Sequence, residues 1–157
     1  MTAQFAAGDA LPDIAMETTE GGAVKPSDYA GNKLVIFFYP KDNTPGCTSE
    51  AKDFSALKDA FSEAGAEVLG VSKCSPKKHM NFIAKHDLTV ALATDAEEGG
   101  LSDKLGIWTE KSMYGRTYMG MVRTTYLVGA DGKIEQVWNK VKVKGHAQEV
   151  LEAAQAL

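Results

Sequence analysis

Strand-like and helix-like runs alternate along the chain and predict an α/β fold, three layers around a mixed central sheet with an N-terminal hairpin. Three observations carry that expectation. Leu34-Val35-Ile36-Phe37-Phe38-Tyr39 is a continuous apolar run, as in a strand buried on both faces. Next, Phe54, Leu57, Phe61 and Ala64 recur at helical spacing while Lys52, Asp53, Lys58, Asp59 and Glu63 take the other faces. A second apolar run at 66–72 then completes a βαβ unit with parallel strands. Further on, Ala130-Asp131-Gly132 lies between strand-like runs at 123–128 and 133–139 and marks an antiparallel hairpin, which makes the sheet mixed.

The other elements fall between these. Turn signals at Gly8-Asp9, Leu11-Pro12-Asp13 and Glu20-Gly21-Gly22 surround a short strand at 14–18 and predict a small hairpin ahead of the βαβ unit. Gly65 ends the first helix. Ser75-Pro76 starts another that runs to about Asp87, with Phe82, Ile83 and His86 on one side. A strand follows at 89–94, then a short helix carrying Leu101, Leu105 and Ile107, then a loop over 108–121 with Gly115 and Gly120. Val150, Leu151, Ala154 and Leu157 form the apolar stripe of a closing helix. A thioredoxin-like three-layer sandwich has this order, although element order alone leaves other α/β folds open.

A chain of 157 residues, 44% hydrophobic and without repeats or low-complexity segments, fits one domain spanning 1–157. Its net charge of -4 argues against a nucleic-acid partner. In the most basic stretch, 140–144, lysines alternate with valines, so a strand there would carry a solvated lysine face. Met1-Thr2-Ala3-Gln4-Phe5 lacks the positive and apolar regions of a secretory leader, and no apolar segment has the length to cross a bilayer. A cytoplasmic protein without a membrane partner is expected. Its two cysteines then point to chemistry rather than to a structural staple. His79, His86 and His146 lack the i, i+4 pairing or cysteine partners of a metal site and are expected to be ordinary surface or half-buried residues. No metal or cofactor is implied, and there is neither a phosphate-cradling glycine motif nor a GxSxG elbow.

Cys47 follows the strand run through Pro40-Lys41-Asp42-Asn43-Thr44-Pro45-Gly46. Pro40 stops the strand, Thr44 has the chemistry of an N-cap, and Pro45 suits the first helical position because its missing N–H would have had no partner there. Cys47 therefore falls in the first helical turn. The Thr44 hydroxyl is expected to accept from the N–H of Gly46 or Cys47, and the remaining free N–H groups favour an anion. Helix N-termini and nearby cations favour the thiolate over the thiol, so Cys47 is expected to be ionised and reactive.

Pro40-x-x-x-Thr44-x-x-Cys47 resembles the active-site signature of peroxiredoxins, thiol peroxidases on a thioredoxin fold. The longer run Phe38-Tyr39-Pro40-Lys41-Asp42-Asn43-Thr44-Pro45-Gly46-Cys47-Thr48-Ser49-Glu50-Ala51 is similar to the bacterioferritin comigratory protein, or peroxiredoxin Q, subfamily. Gly106-Ile107-Trp108, Glu110-Lys111-Ser112-Met113-Tyr114-Gly115-Arg116, Met119-Gly120 and Arg123-Thr124-Thr125-Tyr126-Leu127 match its C-terminal half in order and spacing. The resemblance implies that Cys47 is the peroxidatic cysteine, reducing hydrogen peroxide and organic hydroperoxides through a sulfenic acid in antioxidant defence. It further implies that Thr44 bonds the peroxide, that Pro40 shields the site from water, and that Arg123 is the active-site arginine. Without it, Arg123 is a solvated arginine at a strand start. Glu50 reads as helix-start electrostatics and Trp108 as packing.

Many members of the subfamily carry a second cysteine five residues after the first, where this chain has Lys52, or in the following helix, where it has Ile83. The other cysteine here is Cys74, after the second strand of the βαβ unit. The carboxyl ends of parallel strands share one sheet edge, which makes Cys74 a candidate resolving cysteine. A disulfide needs Cα atoms about 4.4–6.8 Å apart, so the turn bearing Cys47 would have to unwind. The alternative is a one-cysteine enzyme reduced by an external thiol such as thioredoxin, glutaredoxin or glutathione. Glu50 stands three residues after Cys47, so the site has no Cys-x-x-Cys pair for a thioredoxin-type reductase. A peroxide-sensing thiol protein with little turnover is the rival from another class. The scattered helix charges show no dimer stripe and favour a monomer.

Overall fold

The computed structural model describes residues 5–96 and 98–157; residues 1–4, on which the leader expectation chiefly rests, lie outside the described residues. The chain opens with β1 (Met16–Thr18) and β2 (Ala23–Val24), paired antiparallel as the predicted hairpin. β3 (Lys33–Phe38) leads into α1 (Pro45–Ala56) and α2 (Lys58–Glu63), and β4 (Ala66–Ser72) returns parallel to β3. After α3 (Pro76–His86), β5 (Ala91–Thr94) pairs parallel to β4. Next come α4 (Leu101–Leu105), β6 (Trp108–Met113), β7 (Arg116–Met121), β8 (Thr124–Val128), β9 (Ile134–Trp138) and α5 (His146–Gln155). The sheet order β2-β1-β5-β4-β3-β8-β9 is mixed, with β8 and β9 antiparallel as the Asp131-Gly132 signal predicted.

Period-two alternation splits β3 between two cores. Val35, Phe37 and Tyr39 face Phe54, Phe61, Phe82, Val150 and Leu151, under α1, α2, α3 and α5. Leu34, Ile36 and Phe38 face Leu101, Leu105, Ile107 and Tyr126 on the other side. Phe54 stacks on Phe37 at 4.5 Å and fixes α1 to the sheet; truncating such a ring to alanine costs about 3–5 kcal/mol. Gly70 in β4 makes that packing possible, because a Cβ there would come within 2.6 Å of Phe37 Cζ and 2.7 Å of Leu92 Cδ2.

Three sequence expectations change. The long first helix is two helices broken at Leu57, whose ψ is 5°. Thr89 Oγ1 donates to the Ser55 carbonyl at 3.1 Å, so a side chain enters the helical ladder where the break falls. Residues 108–121 are no loop but the antiparallel pair β6–β7, turning through Tyr114 and Gly115, both at positive φ. Its largely exposed faces lack the alternating burial that marks a strand. Residues 140–144 form no strand, yet Val141 and Val143 are half-buried and the lysines exposed. Among the described residues no helix is long and apolar enough to cross a membrane.

Candidate active site

The junction between β3 and α1 is built as its proline and threonine suggest, with one difference. Thr44 has the extended backbone of an N-cap, and its carbonyl accepts from Thr48 N at 2.9 Å. Pro45 opens the helix. The Thr44 hydroxyl, however, caps nothing: it donates to the Lys41 carbonyl at 2.8 Å, tightening the preceding turn. The expected bond from Gly46 or Cys47 N–H to that hydroxyl is therefore corrected, and the first-turn N–H groups have no side-chain cap. Pro40 is half-buried at the end of β3, and Cys47 is 1% exposed.

Arg123 comes from the short connection between β7 and β8, with its carbonyl fixed by Val141 N at 3.0 Å. Its Nη2 donates to Cys47 Sγ at 3.3 Å, and Nη1 donates to Glu50 Oε1 at 2.7 Å. Gly46 permits this approach, since a Cβ there would stand 3.2 Å from Nη2. Cys47 and Glu50 lie three residues apart on one face of α1, so one guanidinium spans both with its fixed fork.

Glu50 is 1% exposed, and its Oε2 has no hydrogen-bond partner among the described residues. Burial raises its carboxyl pKa to about 7 against the opposing pull of Arg123. Burial also works against the Arg123 charge, but Glu50 and Cys47 outweigh it and the guanidinium pKa is raised. Lys111 on β6 brings a second basic group within electrostatic reach of Cys47 and Arg123. Its Nζ donates to the Met121 carbonyl at 2.6 Å, and burial, with repulsion from Arg123, lowers its pKa against the attraction of Cys47. Glu50 and Lys111 were missed as site residues by reading the chain alone. The i, i+3 spacing from Cys47 was the available signal for Glu50, whereas Lys111 sat in a segment read as loop.

Cys74 lies beyond the end of β4 on the expected sheet edge, half-buried, and both cysteines are free. Its sulfur contacts the segment ahead of Cys47: Asp42 N donates to Cys74 Sγ at 3.4 Å. The backbone of Cys74 is pinned by Thr94 Oγ1 to its carbonyl at 2.6 Å and by its own N–H to Ser72 Oγ at 3.1 Å.

The histidine expectation is corrected at two positions. His79 is fully buried: Nδ1 lies 2.7 Å from Asp42 Oδ2, and Nε2 donates to the Ala93 carbonyl at 3.1 Å. His146 is buried between Phe54 and Trp138, with Nε2 2.8 Å from Thr125 Oγ1, and burial lowers its pKa to about 4. His86 is half-buried, as expected. Among the described residues no group of three or more His, Cys, Asp or Glu could hold a metal ion. The arrangement is a buried thiol in a first helical turn, bonded by a permanent cation. It suits attack by sulfur on a small polar electrophile whose departing atom takes up negative charge.

Comparison with known proteins gives this geometry its context. The AhpC/TSA family model matches residues 7–137. The chain is 44% identical over 144 residues to Peroxiredoxin Bcp of Xanthomonas campestris pv. campestris, covering 92% of this chain and 89% of that one. It is 42% identical over 145 residues to Peroxiredoxin Bcp of Bacillus subtilis strain 168, covering 92% of each. One solved structure of Xanthomonas campestris bacterioferritin comigratory protein, from trapped intermediate and ligand complexes that address that protein's alkyl peroxide reduction activity, superposes with a TM-score of 0.87. That structure is 42% identical, with 98% of each chain covered.

Proposed function

The chain belongs to the AhpC/TSA family and is a peroxiredoxin of the Bcp type, and from that premise we propose that Cys47 is its peroxidatic cysteine, reducing hydrogen peroxide and organic hydroperoxides. The observation that carries this assignment is the 3.3 Å contact between Arg123 Nη2 and Cys47 Sγ. The Cys47 thiolate attacks one peroxide oxygen; the S–O bond forms as the O–O bond breaks. Sulfur is oxidised to the sulfenic acid, and the departing oxygen takes a proton and leaves as water or alcohol. Arg123 offers fixed N–H donors to the oxygen that gains charge. Thr44 places a hydroxyl at the helix start for the peroxide, and Pro40 keeps bulk water from the sulfur.

Cys74 is the resolving cysteine in this reading. Its thiolate attacks the sulfenic sulfur, a disulfide forms, and the sulfenic oxygen departs as water after protonation. An external dithiol of the thioredoxin type then returns two electrons and two protons; glutaredoxin or glutathione is the alternative donor. The contact between Asp42 N and Cys74 Sγ supports Cys74, because it ties that sulfur to the segment that delivers Cys47. Residues 1–157 act as one unit, a cytoplasmic monomer.

Peroxide consumption with a thiol reductant tests the assignment. Cys47→Ser is expected to abolish turnover, whereas little turnover in the wild type would favour the sensor reading. Intact mass after one equivalent of peroxide tests Cys74. Loss of two hydrogens within one chain, absent in Cys74→Ser, is the expected result, and a persistent sulfenic or sulfinic acid in the wild type assigns a one-cysteine enzyme.

A further inference from the structure

Helix α3 turns one face on the segment that precedes Cys47. His79 holds the Asp42 carboxylate, and Tyr39 OH donates to its other oxygen at 2.6 Å. The Ala93 carbonyl can only accept, so His79 Nε2 donates to it, while Nδ1 lies 2.7 Å from Asp42 Oδ2. Phe82 packs against the Tyr39 ring at 6.3 Å between centroids. One turn further on, His86 Nε2 bonds Asn43 Oδ1 at 3.2 Å. His79, Phe82 and His86 thus take successive positions on one helix face, and each meets a residue between 39 and 43.

That segment needs holding. Asn43 has a φ of +63°, a left-handed conformation that asparagine tolerates better than most residues, and here its side chain is bonded to His86 rather than free. Asp42 is buried, so its carboxylate depends on His79 and Tyr39 for its hydrogen bonds. The helix that does the holding is itself anchored: Ser75 Oγ caps α3 by accepting from Lys78 N at 3.2 Å. Lys73, just before Cys74, pairs with Asp95 at 3.5 Å and with Asp103 at 3.1 Å. Cys74 and the start of α3 are thus tied by bonds of their own, independent of the segment ahead of Cys47.

We propose that the α3 face formed by His79, Phe82 and His86 is a clasp on residues 39–43, and that its opening sets how readily the first turn of α1 unwinds to present Cys47. His79 is a positioning residue in this scheme; it acts on Cys47 through Asp42 and touches neither peroxide nor sulfur. The clasp rests on the peroxidatic assignment of Cys47, and if Cys74 resolves, the clasp also governs the rate of disulfide formation. A tighter clasp prolongs the life of the sulfenic acid and exposes it to a second peroxide.

The test is amide hydrogen exchange on the reduced full chain, read by peptide over 40–56 and over 66–72, beside the rate of disulfide formation by intact mass. In His79→Gln, exchange over 40–56 is expected to rise about tenfold while β4 is unchanged, and in the milder Tyr39→Phe, which removes one hydroxyl, about threefold. Unchanged exchange over 40–56 in both variants, or an equal rise in both peptides, overturns the clasp. A selective rise without a disulfide in any variant upholds the clasp and overturns Cys74 as the resolving residue. A selective rise with faster disulfide formation upholds both.

Discussion

The two junctions that carry the cysteines are written in nearly the same letters and built differently. Each follows a parallel strand at one sheet edge, and each opens its helix with a hydroxyl residue and a proline, Thr44-Pro45 before α1 and Ser75-Pro76 before α3. At the second, the hydroxyl caps the helix, and Cys74 stands outside it with its backbone tied on both sides. At the first, the hydroxyl turns back to Lys41, and Cys47 stands inside the uncapped turn beneath Arg123. A start signal in sequence therefore specifies where a helix begins but not what its first N–H groups are given to. An end left open by its own side chains is the one suited to an incoming anion.

Replacing the guanidinium tests the contrast most severely. Arg123→Lys keeps a positive charge but loses the fork that reaches Cys47 and Glu50 together, and is expected to lower the rate constant for peroxide reduction by about 10²–10³-fold. Stopped-flow measurement of peroxide consumption checks this, and a loss below tenfold would break the distinction between the junctions.

Titration separates them next, because Glu50 belongs to the Cys47 junction alone. Its folded pKa of about 7 lies above the ordinary carboxyl value of 4.5, so the folded protein keeps a proton that the unfolded chain has released. That contribution is fully present below pH 4.5 and is lost as the pH rises through about 7, with a slope of at most ~1.4 kcal/mol per pH unit. His146 opposes it: with its pKa lowered from 6.5 to about 4, it contributes stability above pH 6.5 that is lost as the pH falls through about 4. Urea unfolding across pH 4–8 is expected to give a shallow wild-type profile. His146→Gln should uncover the falling slope of Glu50, and Glu50→Gln the rising slope of His146.

The smallest effect sharpens the comparison at the caps themselves. Ser75→Ala is expected to cost about 1 kcal/mol of stability, as the loss of a true cap does. Thr44→Ala should cost less in urea unfolding yet lower peroxidase activity more. Equal stability losses would mean that the two threonine and serine hydroxyls play one role after all.

These contrasts also mark what could be read from the chain. The apolar run of β3, the βαβ unit, the Asp131-Gly132 hairpin and the start of α1 were legible because each is dictated by neighbours within a few residues. Cys47 was legible for the same reason, and Arg123 only by resemblance. Glu50, Lys111 and His79 were not legible as partners of the site or its segment. Glu50 meets Arg123 across 73 residues and His79 meets Asp42 across 37; the i, i+3 spacing puts Glu50 on the face of Cys47, but nothing local names the distant partner of either residue. The β6–β7 hairpin escaped because its exposure leaves no alternation to read; Tyr114 at its tip is 97% exposed.

The break at Leu57 bears on how cheaply this molecule can rearrange. Thr89 holds Ser55 not only through the carbonyl but also by donating its own N–H to Ser55 Oγ at 3.0 Å, so the end of α1 is stitched to the connection that leads into β5 while α2 keeps Phe61 in the core. Melting that begins at Cys47 meets a firebreak there. Phe54 and its stack on Phe37 lie between Cys47 and that break, so unwinding confined to the first turn leaves the rest of α1 packed on the sheet, and each residue of that turn costs only about 1–2 kcal/mol of backbone entropy to order again. The interruption separates the reactive turn from α2, so that Phe61 holds its place in the core independently of the helix that carries Cys47.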